Sequence, residues 1–339
     1  MAFLRATFRW VINVIVWLVL LIGTLWTVGA LWFDFPIAGV RHALAVGFGL
    51  GMLSLLAFVR PRSRAKLGVA MAIILVAGWW LTLKPRQDRD WKPEVAVLSH
   101  ATIDGDRVTI QNVRNFDYRT ETDFIPLYET RGYHLQKLRG IDLFVTYWGS
   151  PSIAHPILSF DFGEDGRVCF SIETRSRRGQ SYSAIGGLYR QFEQIYIAAD
   201  ERDVIRLRSN YRQGEDVYLY RFVAPPQAAR SAFLEYIRTL NELHEQPRWY
   251  NAIDNNCTTA IRHQRTAAER APWDWRMLAN GYADQMLYER GTIERFGLAF
   301  DELKRRAHIN ARAHGAIDAT DFSERVRTHF ASTTPPGQE

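Results

Sequence analysis

Cysteine is scarce in this chain of 339 residues, which contains only Cys169 and Cys257. At most one intramolecular disulfide can therefore form. A disulfide between the two cysteines and a pair of free thiols both stay open at this point. The sequence also lacks a metal-ligand cluster, a phosphate-binding glycine loop and a nucleotide fingerprint, so we expect no metal and no cofactor.

Acidic residues are almost missing from the first 84 positions, where Asp34 is the only one. Long uncharged runs predict transmembrane helices at about 10–33, 42–59 and 66–83, since a bilayer needs ~20 apolar residues. A signal peptide has a shorter apolar run of ~7–15 residues before its cleavage site. A buried helical core is the other alternative, and the length and number of the runs favour membrane spans. The spacing Gly47-x-x-x-Gly51 further predicts close packing of the second span.

Basic residues give these spans an orientation. They cluster before the first run and between the second and third, which makes those two segments cytoplasmic by the positive-inside tendency. The chain after Lys84 then lies on the outer side. It is also close to neutral, so the net charge of +6 comes from the membrane part. A nucleic-acid partner would need a basic face on the soluble part and is not expected.

The soluble part reads as strands followed by helices. A polar connector at 85–93 leads into a domain at 94–330, and the tail 331–339 is expected to be disordered. A helical period occupies 225–247, after a region in which strand signals dominate. The predicted strands are RVTIQNVRNF, IDLFVTYWG, HPILSFDF, RVCFSIETR, DVIRLRSNYR and DVYLYRFV. This order predicts an α+β domain.

Cys257 follows Asn255 and Asn256, which are both preferred N-cap residues, at the predicted start of a helix. A thiol in the first helical turn feels the positive end of the helix dipole, which favours the reactive thiolate. The free N–H groups of that turn can also receive a developing oxyanion. The alternative is that Cys257 is a small apolar side chain that fills a gap, as many free cysteines do.

A nucleophilic cysteine needs a base, and His155 opens a predicted strand. Alternation places His155 on one strand face with Ser159, and Glu173 on the corresponding face of the next strand with Ser171. A three-residue loop at 164–166 would pair Ser159 with Ser171 and bring Glu173 diagonally opposite His155. The alternatives are a histidine at the sheet rim and an ion pair between Glu173 and Arg175 or a neighbouring arginine.

These residues resemble the Lnb N-terminal periplasmic domain, a bacterial family named after a lipoprotein N-acyltransferase. The resemblance runs from about 115 to about 327 and rests on the segments IAHPILSFDFGEDGRVCFSIETR, AADERDVIRLRSNYRQGEDVYLYRF, PRWYNAIDNNCTT, DWRMLANGYADQMLYERG, INARA and DFSERVR. It implies a permuted papain-like, NlpC-type thiol fold, with an antiparallel sheet and a cysteine-bearing helix. By the same resemblance Cys257 is the nucleophile, His155 the base and Glu173 the orienting residue, supported by Asn255 and Asn256.

The resemblance implies acyl transfer at the membrane. The expected protein is a multi-pass protein of the bacterial inner membrane, with a cytoplasmic N-terminus and a periplasmic cysteine acyltransferase domain that acts on phospholipid or lipoprotein. Two alternatives stay open. One is a cell-envelope amidase or endopeptidase that uses the same residues, and the other is a non-catalytic membrane-tethered module. The oligomeric state is also left open.

Overall fold

The computed structural model describes residues 2–252, 272–277 and 279–331. The chain separates into two compact units. The first holds the chain up to Arg86 together with Tyr182–Phe192 and Trp249–Asn251. The second holds Gln87–Ser181, Glu193–Arg248 and the described residues after Asn251.

Three long apolar helices form most of the first unit: α1 (Ala2–Asp34), α2 (Arg41–Phe58) and α3 (Arg62–Leu81). Within the described residues these are the helices long and apolar enough to cross a membrane. Most of their large side chains are exposed, which suits contact with lipid. The three predicted apolar helices are therefore present.

The predicted packing role of Gly47 and Gly51 was wrong. A Cβ added at either position meets no described atom within 4 Å, so neither glycine is at a close helix contact. The close approach is instead at Gly23 in α1, where an added Cβ would lie 2.9 Å from the Ile73 side chain of α3. Spacing on one helix could not show which face meets a neighbour.

The second unit is built on an eight-stranded sheet among its described residues, ordered β1-β2-β9-β8-β7-β6-β10, with β5 also paired to β2. Its pairs are antiparallel except for a single parallel contact between β2 and β9. A separate two-stranded sheet pairs β3 with β4. The strand bounds are β1 His100–Asp104, β2 Arg107–Arg114, β3 Asp117–Tyr118, β4 Phe124–Ile125, β5 Tyr128–His134, β6 Gly140–Trp148, β7 Ser150–Asp161, β8 Arg167–Arg175, β9 Glu193–Ala199 and β10 Glu215–Arg221.

Helices cover both faces of this sheet, so it has two cores. The helix α5 (Pro226–Glu245) packs Phe233 and Tyr236 against Phe160 and Phe170, with ring centroids 5.2–6.0 Å apart. On the other face, Ile157 and Cys169 join a core with Val204, Ile205 and residues of the C-terminal helices. The α+β prediction agrees with a sheet that is mainly antiparallel and has helices packed against it.

The predicted strand DVIRLRSNYR was wrong. This segment is α4 (Glu201–Arg206), followed by a π-helical turn at Leu207–Tyr211. The Asp200 side chain caps α4 by accepting a hydrogen bond from Arg202 N. An aspartate followed three residues later by an acid is close to an N-cap signature, and this signal could have identified the helix.

Short helices complete the unit. The C-terminal part contains helices at Ala283–Glu289, Phe300–Ala307, Asn310–His314, Phe322–Arg325 and Thr328–Ala331. Short 3₁₀ turns of this unit lie at Pro93–Val95, Leu135–Lys137, Gly163–Asp165, Trp275–Met277 and Asn280–Tyr282, and another at Gly186–Leu188 belongs to the first unit. Arg327 fixes the C-terminal helices to the sheet, because its buried guanidinium binds Glu201 and Asp142 at 2.5 and 2.8 Å.

The hairpin β7–β8 has the predicted parity but a different register. Ile157 pairs with Ser171 and Ser159 with Cys169, two residues away from the predicted pairing. The connection is longer than the predicted three residues, because the last pair is Asp161 with Arg167. Parity preserves the face on which each side chain lies, so the correction leaves His155 and Glu173 on the same face.

Candidate functional site

His155 lies on β7, opposite Thr146 of β6, and is almost fully buried. Its Nε2 atom is 2.8 Å from the Ser171 hydroxyl and 3.3 Å from Glu173 Oε1. Ser171 donates its own proton to Glu173 Oε1 at 2.7 Å. When Nε2 of His155 carries a proton, it donates a hydrogen bond to the Ser171 hydroxyl. Ser171 in turn donates a hydrogen bond to the carboxylate of Glu173.

Glu173 is held in its charged form. Burial raises the pKa of this carboxyl, but the charges of His155 and Arg208, together with hydrogen bonds from His155 and Ser171, hold it well below its usual range. Arg208 donates from Nη2 to Glu173 Oε1 at 2.6 Å. A carboxylate fixed in this way can orient an imidazole and stabilise its protonated form.

Arg208 comes from the π-helical turn, and the sequence does not point to it because the pattern of this segment predicts a strand. Its guanidinium is buried, and it also donates to Val204 O at 2.9 Å. Arg175, the alternative partner of Glu173, points elsewhere: it lies over the Trp91 ring at 4.3 Å and donates to Val95 O at 2.9 Å. The alternative of an ion pair between Glu173 and an arginine is therefore observed, with Arg208 and not Arg175 as the partner.

The turn Asn280–Tyr282 supports the strand end that precedes His155. Asn280 Oδ1 accepts a hydrogen bond from Ala154 N at 2.8 Å, and Gly281 O accepts one from the Tyr147 hydroxyl at 2.8 Å. A Cβ at Gly281 would lie 2.1 Å from Pro151 O, so this position accepts only glycine without movement. The motif containing Asn280 and Gly281 was used for the family resemblance, but no role was predicted for either residue.

Apolar side chains are exposed around this strand end. The Trp148 ring centroid is 6.5 Å from that of His155, and Ile153 lies two residues before the histidine. Trp275 and Tyr282 contact each other with ring centroids 5.6 Å apart. The region around His155 therefore offers aromatic and aliphatic surface to a bound molecule.

The structure describes the surroundings of Cys169 but not those of Cys257. Cys169 is a free thiol in the core of the sheet, and burial raises its pKa, so it is unsuited to act as a thiolate. Cys257, Asn255 and Asn256, with the predicted cysteine-bearing helix, lie outside the described residues. Among the residues that the structure does describe, no group of three or more His, Cys, Asp and Glu side chains is arranged to hold a metal ion.

Residues 126–281 match the family described as the Lnb N-terminal periplasmic domain. This stretch of the chain is similar to an Lnb domain. This confirms the resemblance found in the sequence motifs, over a shorter stretch than expected. No curated protein and no solved structure matches the chain.

The Lnb domain includes the entire histidine cluster, from the β7–β8 hairpin through Arg208 to the turn at Gly281. It is preceded by the three apolar helices of the first unit. The chain is thus a membrane-associated protein with a periplasmic domain in its C-terminal part. The permuted papain-like fold and the roles of the individual residues remain predictions.

Proposed function

We propose that this chain is a membrane-anchored periplasmic cysteine acyltransferase, which moves an acyl group from a lipid ester to an acceptor such as a lipoprotein. The observation that carries the proposal is the buried His155, which lies 3.3 Å from the ionised Glu173. A histidine oriented by a carboxylate is the base that a thiol nucleophile requires. Cys257, at the helix start that the sequence predicts, is the proposed nucleophile.

In the first half of the reaction, His155 takes the proton of the Cys257 thiol. The thiolate attacks the ester carbonyl carbon, the bond from that carbon to the leaving oxygen breaks, and His155 returns the proton to that oxygen. In the second half, an acceptor amine or hydroxyl attacks the thioester. His155 receives the acceptor's proton and passes it to the sulfur as the carbon–sulfur bond breaks.

The proposed role of Glu173 is to select the histidine tautomer. An ionised acceptor beside Nε2 favours a proton on that nitrogen, so that Nδ1 is the nitrogen that exchanges protons with the thiol. Arg208 keeps the carboxylate in place and charged. Ser171 completes the connection, because it contacts both the imidazole and the carboxylate.

Two features support a lipid donor. The exposed surface beside His155 is aromatic and aliphatic, contributed by Trp148, Ile153 and the Trp275–Tyr282 pair. The domain is also tethered to three helices that can cross a membrane. Acyl chains are therefore available close to the domain and compatible with the surface beside the histidine.

The test is to trap the acyl-enzyme. The full-length chain is reconstituted in phospholipid vesicles without an acceptor, digested, and its Cys257 peptide is weighed by mass spectrometry. We expect a fatty-acyl mass that hydroxylamine removes, as a thioester requires. Cys257→Ala should abolish this adduct, while the control Cys169→Ala should retain it, because Cys169 is buried in the core.

His155→Gln should also abolish the adduct. The matched control is His134→Gln, which removes a histidine 2.7 Å from Asp165 elsewhere in the same sheet and should leave acylation unchanged. A peptide fragment attached to Cys257, instead of a fatty-acyl group, would indicate that the chain is an envelope hydrolase and not a transferase. Full complementation of a deletion strain by Cys257→Ala would refute every catalytic reading.

A further inference from the structure

The segment Tyr182–Phe192 connects β8 to β9, yet it folds as part of the unit that contains the apolar helices. Gln191 donates from Nε2 to Phe33 O and to Asp34 Oδ1, both at 2.7 Å. Arg190 N donates to the second carboxylate oxygen of Asp34 at 3.1 Å. The single acid of the membrane part therefore holds this segment at the end of α1.

The segment also runs alongside the last turns of α1. The Tyr189 ring stacks on Phe33 with centroids 5.1 Å apart, and its hydroxyl lies where a side chain of Gly29 would be, 1.8 Å from an added Cβ. Gly29 precedes the end of α1 by five residues, which at ~1.5 Å per residue is about 7 Å along the helix. Tyr189 is thus at the depth of the last turns of α1.

A second set of contacts joins the segment to α3. The Arg190 guanidinium lies 4.0 Å from the centroid of the Trp80 ring and donates to Trp80 O at 2.7 Å and to Leu83 O. Trp80 in turn donates from Nε1 to Asp34 Oδ2 at 2.6 Å. A tryptophan at the end of an apolar helix is typical of the membrane–water boundary.

The segment Tyr182–Phe192 has three large apolar side chains that are exposed. Tyr182, Ile185 and Leu188 are 54%, 62% and 38% exposed, on a segment that contains a 3₁₀ turn at Gly186–Leu188. The transfer of exposed aliphatic side chains of this kind from water into an apolar environment is favourable. The neighbouring helices present the same kind of surface, because Leu25 and Leu81 are also exposed.

We propose that Tyr182–Phe192 is a membrane-inserted loop, which places Ile185 and Leu188 at the boundary between headgroups and acyl chains of the outer leaflet. The occupant of its apolar surface is lipid, because the surface continues that of the membrane helices. The loop follows β8, the strand that carries Ser171 and Glu173. This proposal concerns the lipid contacts of the loop itself and does not depend on the acyl transfer proposed above.

The test is spin-label accessibility in the full-length chain, reconstituted in phosphatidylethanolamine–phosphatidylglycerol vesicles. The background is Cys257→Ser, so the result does not depend on catalysis, and the buried Cys169 is kept. Ile185→Cys and Leu188→Cys are labelled with a nitroxide, and their collision rates with oxygen and with a water-soluble nickel chelate are compared. Leu75→Cys on α3 and Ile103→Cys on β1 are controls, at positions that are 69% and 52% exposed.

We expect the ratio of oxygen to nickel accessibility at both loop positions to exceed that at Ile103 at least threefold and to approach that at Leu75. A ratio equal to that at Ile103 at both positions would place the loop in water and overturn the proposal. Low accessibility to both reagents would show that protein covers the loop, which also overturns it. Two loop positions are labelled so that a local disturbance caused by one label can be recognised from the other position.

Discussion

Replacing Gly281 with alanine should loosen the strand end that carries His155. The added Cβ would lie 2.1 Å from Pro151 O, 2.5 Å from Ser152 C and 2.8 Å from Ile153 N. All three are backbone atoms, so no side-chain rotation relieves the clash, and the turn or the strand must move by more than 1 Å to restore an ordinary contact of at least 3.4 Å.

The magnitude follows from the contacts that this movement breaks. Overpacking a tight site costs ~1–3 kcal/mol. The hydrogen bonds from Ala154 N to Asn280 Oδ1 and from the Tyr147 hydroxyl to Gly281 O are worth ~1 kcal/mol each. We therefore expect Gly281→Ala to lower the free energy of unfolding by ~3–5 kcal/mol. If His155 acts as proposed, a 1 Å displacement should also slow acylation ~100-fold.

Urea unfolding of the full-length chain in detergent micelles measures the first effect, and the acyl-enzyme assay measures the second. Gly140→Ala is the matched control, because a Cβ at this glycine of β6 meets no described atom within 4 Å. It should change stability by less than ~0.5 kcal/mol. The reasoning is refuted if Gly281→Ala unfolds at the same urea concentration as the unchanged chain.

Three other predictions concern the charge at the site and the loop. Glu173→Ala should cost ~3–5 kcal/mol, because it leaves a buried arginine without its carboxylate, whereas Glu164→Ala on the exposed hairpin turn should be neutral in the same urea assay. The pKa of Glu173 is depressed in the folded chain, so its stabilisation is complete above the unfolded value of ~4.3 and is lost as pH falls through the folded value. Glu173→Gln should therefore flatten the fall of unfolding free energy with acidification, and an unchanged slope would contradict this. Gly29→Ala should displace Tyr189 and speed protease cleavage within 182–192, while Gly47→Ala, with open space around it, should not.

Local sequence signals identified the two strands that carry His155, Ser171 and Glu173, but neither the helical segment that carries Arg208 nor the contacts among these residues. The alternation along β7 and β8 placed His155 and Glu173 on one face, and this held although the register was off by two residues. Alternation depends only on parity, whereas register depends on the length of the connecting turn. Arg208 was missed because the apolar pattern of its segment is as compatible with a buried helix as with a strand.

The sequence by itself determined the three apolar helices, the α+β character of the second unit and the resemblance of residues 126–281 to the Lnb N-terminal periplasmic domain. These depend on long uncharged runs, on periodicity and on short motifs, which are all local properties of the chain. Only the tertiary structure decided that Arg208, rather than Arg175, holds Glu173, and that Asn280 supports the strand end before His155. It alone also placed Tyr182–Phe192 with the membrane helices, since Gly29 and Asp34 meet this segment from more than 140 residues away. Contacts between residues so distant in sequence are set by the packing of whole elements, which no local pattern specifies.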